Sequence, residues 1–124
     1  MTKQRPKHLD LLKITQPIPA IVSIMHRISG ALLFLFIPFL LYLLQLSLVS
    51  SESFAKFKAF TGNPLTKLLL LVLLWAYLHH FCAGIRYLAI DLEYGVGLES
   101  ARTSSKVVLA VSLTLTVILG AMLW

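Results

Sequence analysis

The chain has 124 residues, of which 58% are hydrophobic and only 13% are charged. Soluble domains are usually about 45–50% apolar and about 25% charged, so this composition excludes an ordinary soluble domain and indicates an integral membrane protein. The formal net charge of +6 does not indicate nucleic-acid binding, because the basic residues mostly flank apolar runs, where such residues set membrane orientation. The single cysteine, Cys82, excludes an intrachain disulfide.

In chain order, the sequence predicts an all-α integral membrane protein with a basic arm and three transmembrane helices. Residues 1–16 form the arm, which carries four Lys and Arg residues and lacks the pattern of a cleavable signal peptide. The three spans are predicted over about 21–48, 65–90 and 105–124. The whole chain, 1–124, is expected to be a single membrane-anchor domain.

The connection between the first two spans, residues 50–63, has a pattern of its own. Phenylalanine recurs every third residue at Phe54, Phe57 and Phe60, with lysines between them. This spacing predicts a short amphipathic turn that lies on the membrane surface.

The second connection is acidic and rich in glycine over about residues 91–99, and Ser104 or Ser105 is expected to cap the third helix. The four basic residues of the arm, with Arg102 and Lys106 after the second connection, make six Lys and Arg residues near span ends, against three around the first connection. Because basic residues accumulate on the cytoplasmic side, the N-terminus is expected in the cytoplasm and the C-terminus outside.

A polar cluster at residues 79–87 interrupts the second span. Ionisable groups are costly in lipid, so these side chains are expected to face protein, a cofactor or water. Helical spacing puts His80, Gly84 and Tyr87 on one stripe, whereas His79 faces about 100° away.

The first two spans are antiparallel, which predicts a polar rim at the cytoplasmic interface. The rim is expected to combine two groups of residues, Ser23, His26 and Arg27 with Arg86, Tyr87 and Asp91. His80 is predicted to lie about 16 Å deeper than the end of its span. That depth would separate it from His26.

A histidine inside a membrane bundle is a candidate haem ligand, because neutral imidazole binds iron. The predicted depths imply that a second axial ligand would come from another chain, while His26 and Arg27 are better placed for the haem propionates. Spacing leaves structural alternatives open. His80 could form a hydrogen bond between helices, Arg27 could extend its guanidinium to the membrane interface, and the Ser23 hydroxyl could donate to a carbonyl of its own helix. Helical spacing also does not decide whether His79 or His80 would be the haem ligand.

Three motifs carry a family resemblance. They are residues 5–11 (Arg-Pro-Lys-His-Leu-Asp-Leu), residues 23–30 (Ser-Ile-Met-His-Arg-Ile-Ser-Gly), and residues 80–87 (His-Phe-Cys-Ala-Gly-Ile-Arg-Tyr) followed by Asp91. They are similar to motifs of the larger cytochrome b membrane-anchor subunit of bacterial succinate dehydrogenase, respiratory complex II. The resemblance extends over essentially the whole chain.

The resemblance implies that His80, rather than His79, is the axial ligand of haem b, so that the three spans form part of a haem-binding helix bundle. A smaller second anchor subunit would supply the other axial histidine. His26 and Arg27 would lie near the haem propionates, and Ser23 and Arg27 would line a ubiquinone site.

The resemblance also implies partners and a location. An iron–sulfur subunit and a flavoprotein subunit would carry electrons from succinate oxidation to ubiquinone at the inner membrane of a bacterium, and the isolated chain would not be catalytic. Tyr87 departs from the pattern, because some relatives carry a further histidine there. Two alternatives are a fumarate reductase anchor that uses menaquinol and a haem-free structural or small transporter subunit.

Overall fold

The computed structural model describes residues 14–124 as four helices: α1 (Ile18–Leu48), α2 (Ser51–Gly62), α3 (Pro64–Asp91) and α4 (Leu98–Leu123). Helices α1, α3 and α4 have 31, 28 and 26 residues, and each is apolar enough to cross a membrane. These lengths correspond to roughly 39–46 Å, which exceeds the hydrocarbon core of about 30 Å. The predicted all-α fold with three spans is confirmed, while most of the predicted arm lies outside the described residues.

Prolines mark the beginnings of two spans. Pro19 occupies the first turn of α1, and Pro64 is the first residue of α3. Proline is tolerated there because its missing N–H would have no partner within the helix. The side chain of Asn63 accepts a hydrogen bond from the Leu65 N–H at 2.9 Å and caps α3. With Pro19 in its first turn, helix α1 begins at Ile18, three residues before the predicted start at residue 21.

The first connection is a complete helix, α2, rather than a single amphipathic turn. The Ser50 hydroxyl accepts from the Ser53 N–H at 3.1 Å, and the Ser53 hydroxyl accepts from the Ser50 N–H at 2.9 Å. This reciprocal capping satisfies two donors that a helix start otherwise leaves unpaired. Helix α2 packs against both α1 and α3, with Phe60 against Phe39 of α1.

Helix α4 begins at Leu98, so the predicted start at residue 105 and the predicted cap at Ser104 or Ser105 are wrong. The extended backbone of Gly97 precedes the helix, and no side chain caps it. Ser105 instead donates to the Ala101 carbonyl at 2.7 Å from within the helix. The polar first turns of α4 hide its true beginning from a hydropathy reading.

Helix α3 lies between α1 and α4 and packs on both. Large apolar side chains cover the outside, whereas small and polar residues share the interior, as is typical of membrane bundles. The buried face of α4 consists of Ser105, Val108, Ser112, Thr116 and Gly120. At Gly120 the helices approach so closely that an added Cβ would lie 2.8 Å from Leu71 Cδ1.

Candidate functional site

Two histidines from different helices meet at the α1–α3 contact. The rings of His26 and His80 stack with their centroids 4.2 Å apart and their planes 10° apart. The His80 Nδ1 atom lies 3.0 Å from the His26 carbonyl oxygen and 3.3 Å from the Ser29 hydroxyl. Both rings are only partly buried. The arrangement holds one edge of the His80 ring against α1.

This contact overturns the predicted depth difference between His26 and His80, because the two rings lie at the same level. Val22 and Ala83 share one buried cluster, which gives the antiparallel helices the same register. Asp91, eleven residues after His80, is consequently level with a point eleven residues before His26, where α1 has not yet begun. The prediction aligned the ends of the two spans, but α3 extends beyond the beginning of α1.

His79 faces the interior of the bundle. Its exposed fraction is 0%, and its ring stacks on Trp75 with the centroids 5.3 Å apart. Neither ring nitrogen has a hydrogen-bond partner among the described residues. The two adjacent histidines of α3 therefore have different surroundings, with only His80 reaching the surface of this chain.

Ser23 and Arg27 lie on α1 next to the histidine contact. Ser23 is half-buried and Arg27 is exposed. The Ser23 hydroxyl makes no bond to the preceding turn of α1 among the residues that the structure describes, so that alternative is not seen. With one turn between them, an uncharged hydroxyl and a cationic guanidinium are available on one side of α1.

The α3 residues of the predicted rim, Arg86, Tyr87 and Asp91, do not lie together in the structure. Arg86 is 8% exposed and points to α4, where its Nε donates to Ser104 Oγ at 2.9 Å and its Nη2 donates to the Ala101 carbonyl at 3.3 Å. Tyr87 does reach α1, and its ring centroid lies 5.1 Å from that of His26. Asp91 is exposed at the end of α3. Of the predicted α3 rim, only Tyr87 contacts the polar residues of α1, so the rest of that grouping is wrong.

The sequence of the chain matches a known membrane family along nearly all of its length. The pattern of the succinate dehydrogenase/fumarate reductase transmembrane subunit family matches residues 1–119. The chain belongs to this family. The resemblance inferred from the three motifs is thereby confirmed at the level of the family.

Curated relatives within the family have a consistent name, succinate dehydrogenase cytochrome b556 subunit. The Coxiella burnetii protein is 41% identical over the full length of both chains. The Paracoccus denitrificans protein is 33% identical over 90% of this chain and 84% of its own. The Rickettsia felis protein is 30% identical over 90% of this chain and 86% of its own.

Two residues of the family-like motif at 23–30 received no role from the sequence. Ser29 and Gly30 are the residues of α1 that contact His80 beside the His26 carbonyl. Their spacing from His26, three and four residues, puts them on the same face of α1. That periodicity was a usable signal, but only the register between α1 and α3 identifies which histidine they meet.

Proposed function

We propose that this chain is the larger cytochrome b anchor of a bacterial succinate:ubiquinone oxidoreductase, with its 124 residues forming one membrane-anchor domain. Its relatives are named cytochrome b556 subunits, which supports a b-type haem. The observation that carries the proposal is the hydrogen-bonding geometry of His80. Its ring is tethered at Nδ1 on the His26 carbonyl.

A carbonyl oxygen can only accept a hydrogen bond, so a 3.0 Å approach requires that Nδ1 carries the proton. In this tautomer of the imidazole, the lone pair is on the other nitrogen, Nε2. Histidine ligands of metals ordinarily have this arrangement, with the second ring nitrogen donating to a carbonyl or a carboxylate. The residues therefore fit an iron porphyrin, for which His80 would supply one axial ligand. When bound, haem b supplies a one-electron store.

A smaller second anchor subunit would supply the second axial ligand. The ring of His26 is stacked flat on that of His80 at 4.2 Å, so no macrocycle fits between the two rings. His79 is 0% exposed and faces the bundle interior. Among the histidines that the structure describes, neither His26 nor His79 is placed to hold the same iron as His80, and the resemblance to the family implies a histidine of the smaller anchor subunit instead.

His26 and Arg27 would hold the propionates of the same haem. The guanidinium of Arg27 is exposed on α1 near the histidine contact, and charge-assisted hydrogen bonds to carboxylates are the strong kind. Gly84 of α3 lies opposite His26, and a Cβ added at Gly84 would lie 3.8 Å from the His26 Nε2 atom. The glycine therefore leaves space beside the His26 ring. His26 and Arg27 would orient the group rather than bind its iron.

Ser23 and Arg27 would bind ubiquinone at the cytoplasmic side. A quinone carbonyl gains negative charge on reduction, and the hydroxyl and the guanidinium would each donate a hydrogen bond that strengthens as this charge develops. An iron–sulfur subunit and a flavoprotein subunit would deliver the electrons from succinate. The distribution of Lys and Arg supports an N-terminus in the cytoplasm. The resemblance to bacterial succinate dehydrogenase subunits supports a location in the bacterial inner membrane.

The test uses the complex purified in mild detergent. The wild-type complex is expected to show a b-type signal in the reduced-minus-oxidised absorption spectrum, and His80→Ala is expected to abolish it because the iron loses this ligand. Phe81→Ala is the matched control, since Phe81 is the next residue of α3 and is 55% exposed. A wild-type complex without haem, or an unchanged signal in the His80 variant, would remove the haem assignment and favour a structural anchor.

The quinone assignment is tested separately. Ser23→Ala and Arg27→Ala are expected to raise the KM for ubiquinone in the assembled complex while the haem spectrum of Ser23→Ala stays unchanged. Normal turnover and quinone affinity in both variants would contradict the assignment. The description of the family also covers fumarate reductase anchors. A preference of the purified complex for menaquinol over ubiquinone would favour that second function.

A further inference from the structure

One turn of α1, residues 26–30, forms a seat for the ring of His80. Three parts of this turn contact the ring: the His26 carbonyl, the Ser29 hydroxyl and the open side of Gly30. The first two meet Nδ1, and the third meets the Cε1 edge. The two hydrogen-bonding contacts are at Nδ1, and the Cβ position of Gly30 lies nearest to Cε1, the carbon between the two ring nitrogens, and 3.7 Å from Nε2.

Ser29 presents an acceptor to Nδ1. Its hydroxyl donates to the His26 carbonyl at 2.8 Å, so the hydroxyl proton is already used. The oxygen lone pairs are then available to the Nδ1–H of His80, 3.3 Å away. Ser29 is 2% exposed, so water does not compete for this bond. The Nδ1–H of His80 is thus shared between the carbonyl and the hydroxyl.

Gly30 supplies the space for the ring. An added Cβ at this position would lie 2.8 Å from Cε1 and 3.2 Å from Nδ1 of His80. Carbon atoms in van der Waals contact lie about 3.5–4.0 Å apart, so the ring could not stay where it is. Its hydrogen bonds to α1 would lengthen as it moved. The closeness of α1 to the ring therefore depends on the missing side chain.

We propose that Ser29 and Gly30 are positioning residues that orient His80 and set the donor strength of its Nε2. This inference rests on the proposed function of His80 as a haem ligand. Acceptors at the outer nitrogen of a ligand histidine fix its tautomer and orientation and make the coordinating nitrogen more basic. A more basic ligand favours the ferric over the ferrous iron, so the seat would lower the reduction potential as well as strengthen haem binding.

The first experiment replaces the acceptor. In the purified complex, Ser29→Ala is expected to weaken haem retention about tenfold, the smaller effect seen when such outer partners of metal ligands are removed. A tenfold loss confined to the ferric form raises the midpoint potential by about 59 mV for a one-electron couple. Redox titration of the haem absorption and haem loss to an acceptor protein measure both effects without recourse to activity.

Two variants control for packing and for the hydroxyl. Ser112→Ala removes an equally buried hydroxyl that donates to the Leu109 carbonyl at 3.2 Å, and it is expected to leave potential and retention unchanged. Ser29→Thr keeps a hydroxyl that can make the same bond to the preceding turn. Ser29→Thr is therefore expected to keep the reduction potential of the haem near the wild-type value.

The second experiment fills the space. Gly30→Ala is expected to displace the His80 ring and to weaken haem retention at least tenfold. Gly120→Ala creates an equally close contact, 2.8 Å from Leu71 Cδ1, at the α3–α4 contact. It is expected to leave the haem spectrum and the potential unchanged, because that contact does not involve His80.

The outcomes separate this inference from the function beneath it. If His80→Ala loses the haem while Ser29→Ala and Gly30→Ala keep wild-type potential and retention, the seat is overturned and the ligand assignment stands. Equal shifts in Ser112→Ala or Gly120→Ala would also overturn the seat, since general packing would explain them. If Gly30→Ala fails to assemble, the comparison of Ser29→Ala with Ser112→Ala decides. Haem retained in His80→Ala would overturn the proposed function itself.

Discussion

Helix α3 has a polar contact on each side, and the two contacts use their polar groups differently. Towards α4, Arg86 donates to Ser104 and to the Ala101 carbonyl, so its bonds end within the chain. Towards α1, His80 uses Nδ1 for the His26 carbonyl, and the described residues offer no hydrogen bond to its Nε2. A polar residue within a span thus becomes a candidate ligand only when an unused atom remains accessible.

The largest effect on stability is expected from Arg86→Ala, which would test whether the α4 side is purely structural. Hydrogen bonds from a charged group contribute about 1.5–3 kcal/mol, and the variant loses two of them, so a destabilisation of about 3 kcal/mol is expected. Detergent unfolding of the purified complex measures it. The haem spectrum of the assembled fraction is expected to stay unchanged, and a lost haem signal there would contradict the separation of the two sides.

Arg102→Ala provides the matched control for Arg86→Ala. Arg102 lies on α4 but is exposed, so its replacement is expected to change stability by less than about 0.5 kcal/mol. A similar loss in both variants would mean that basic charge, rather than the buried hydrogen bonds, stabilises the contact between α3 and α4.

A smaller effect is expected from Gly120→Ala. The added methyl would lie 2.8 Å from Leu71 Cδ1, and overpacking of this kind costs typically 1–3 kcal/mol. Leu71 can turn its side chain, so we expect about 1–2 kcal/mol in the same unfolding measurement. Leu71→Ala in the Gly120→Ala background is expected to relieve the overlap. Absence of that relief would show that α3 and α4 do not meet at this point.

Apart from the Arg102→Ala control, the smallest effect is expected from His79→Leu, which compares the two adjacent histidines directly. Replacing a buried polar group by an apolar one of similar size can be nearly neutral where, as for His79, the described residues offer it no hydrogen-bond partner. We expect a stability change within about 1 kcal/mol and a normal haem spectrum. A complex that loses its haem in His79→Leu would contradict the assignment of His80 as the ligand of this chain.

Hydropathy and motif spacing predicted much of this protein. The three spans were placed to within three residues at every end except the beginning of α4, where polar residues in the first turns shorten the apolar run. The family was identified from motifs at 23–30 and 80–87, and its membership was confirmed. Such features are local, because helix formation and membrane insertion respond to the residues of one segment.

The contacts between helices could not be predicted in the same way. Aligning span ends separated His26 from His80, whereas packing brings their rings to 4.2 Å. It also grouped Arg86 with α1, although the guanidinium turns to α4. Neither error is visible in periodicity, which gives the face of a helix but not the level at which it meets its neighbour.

The sequence by itself determined that this chain crosses a membrane, which family it belongs to, and which polar residues interrupt its spans. Only the tertiary structure decided that His80 is tethered at Nδ1 and partly exposed while His79 is buried. The physical reason is that the register of antiparallel helices depends on close fits between distant residues. Here the missing side chain of Gly30 lets α1 approach the ring of His80, where the His26 carbonyl and the Ser29 hydroxyl meet its Nδ1.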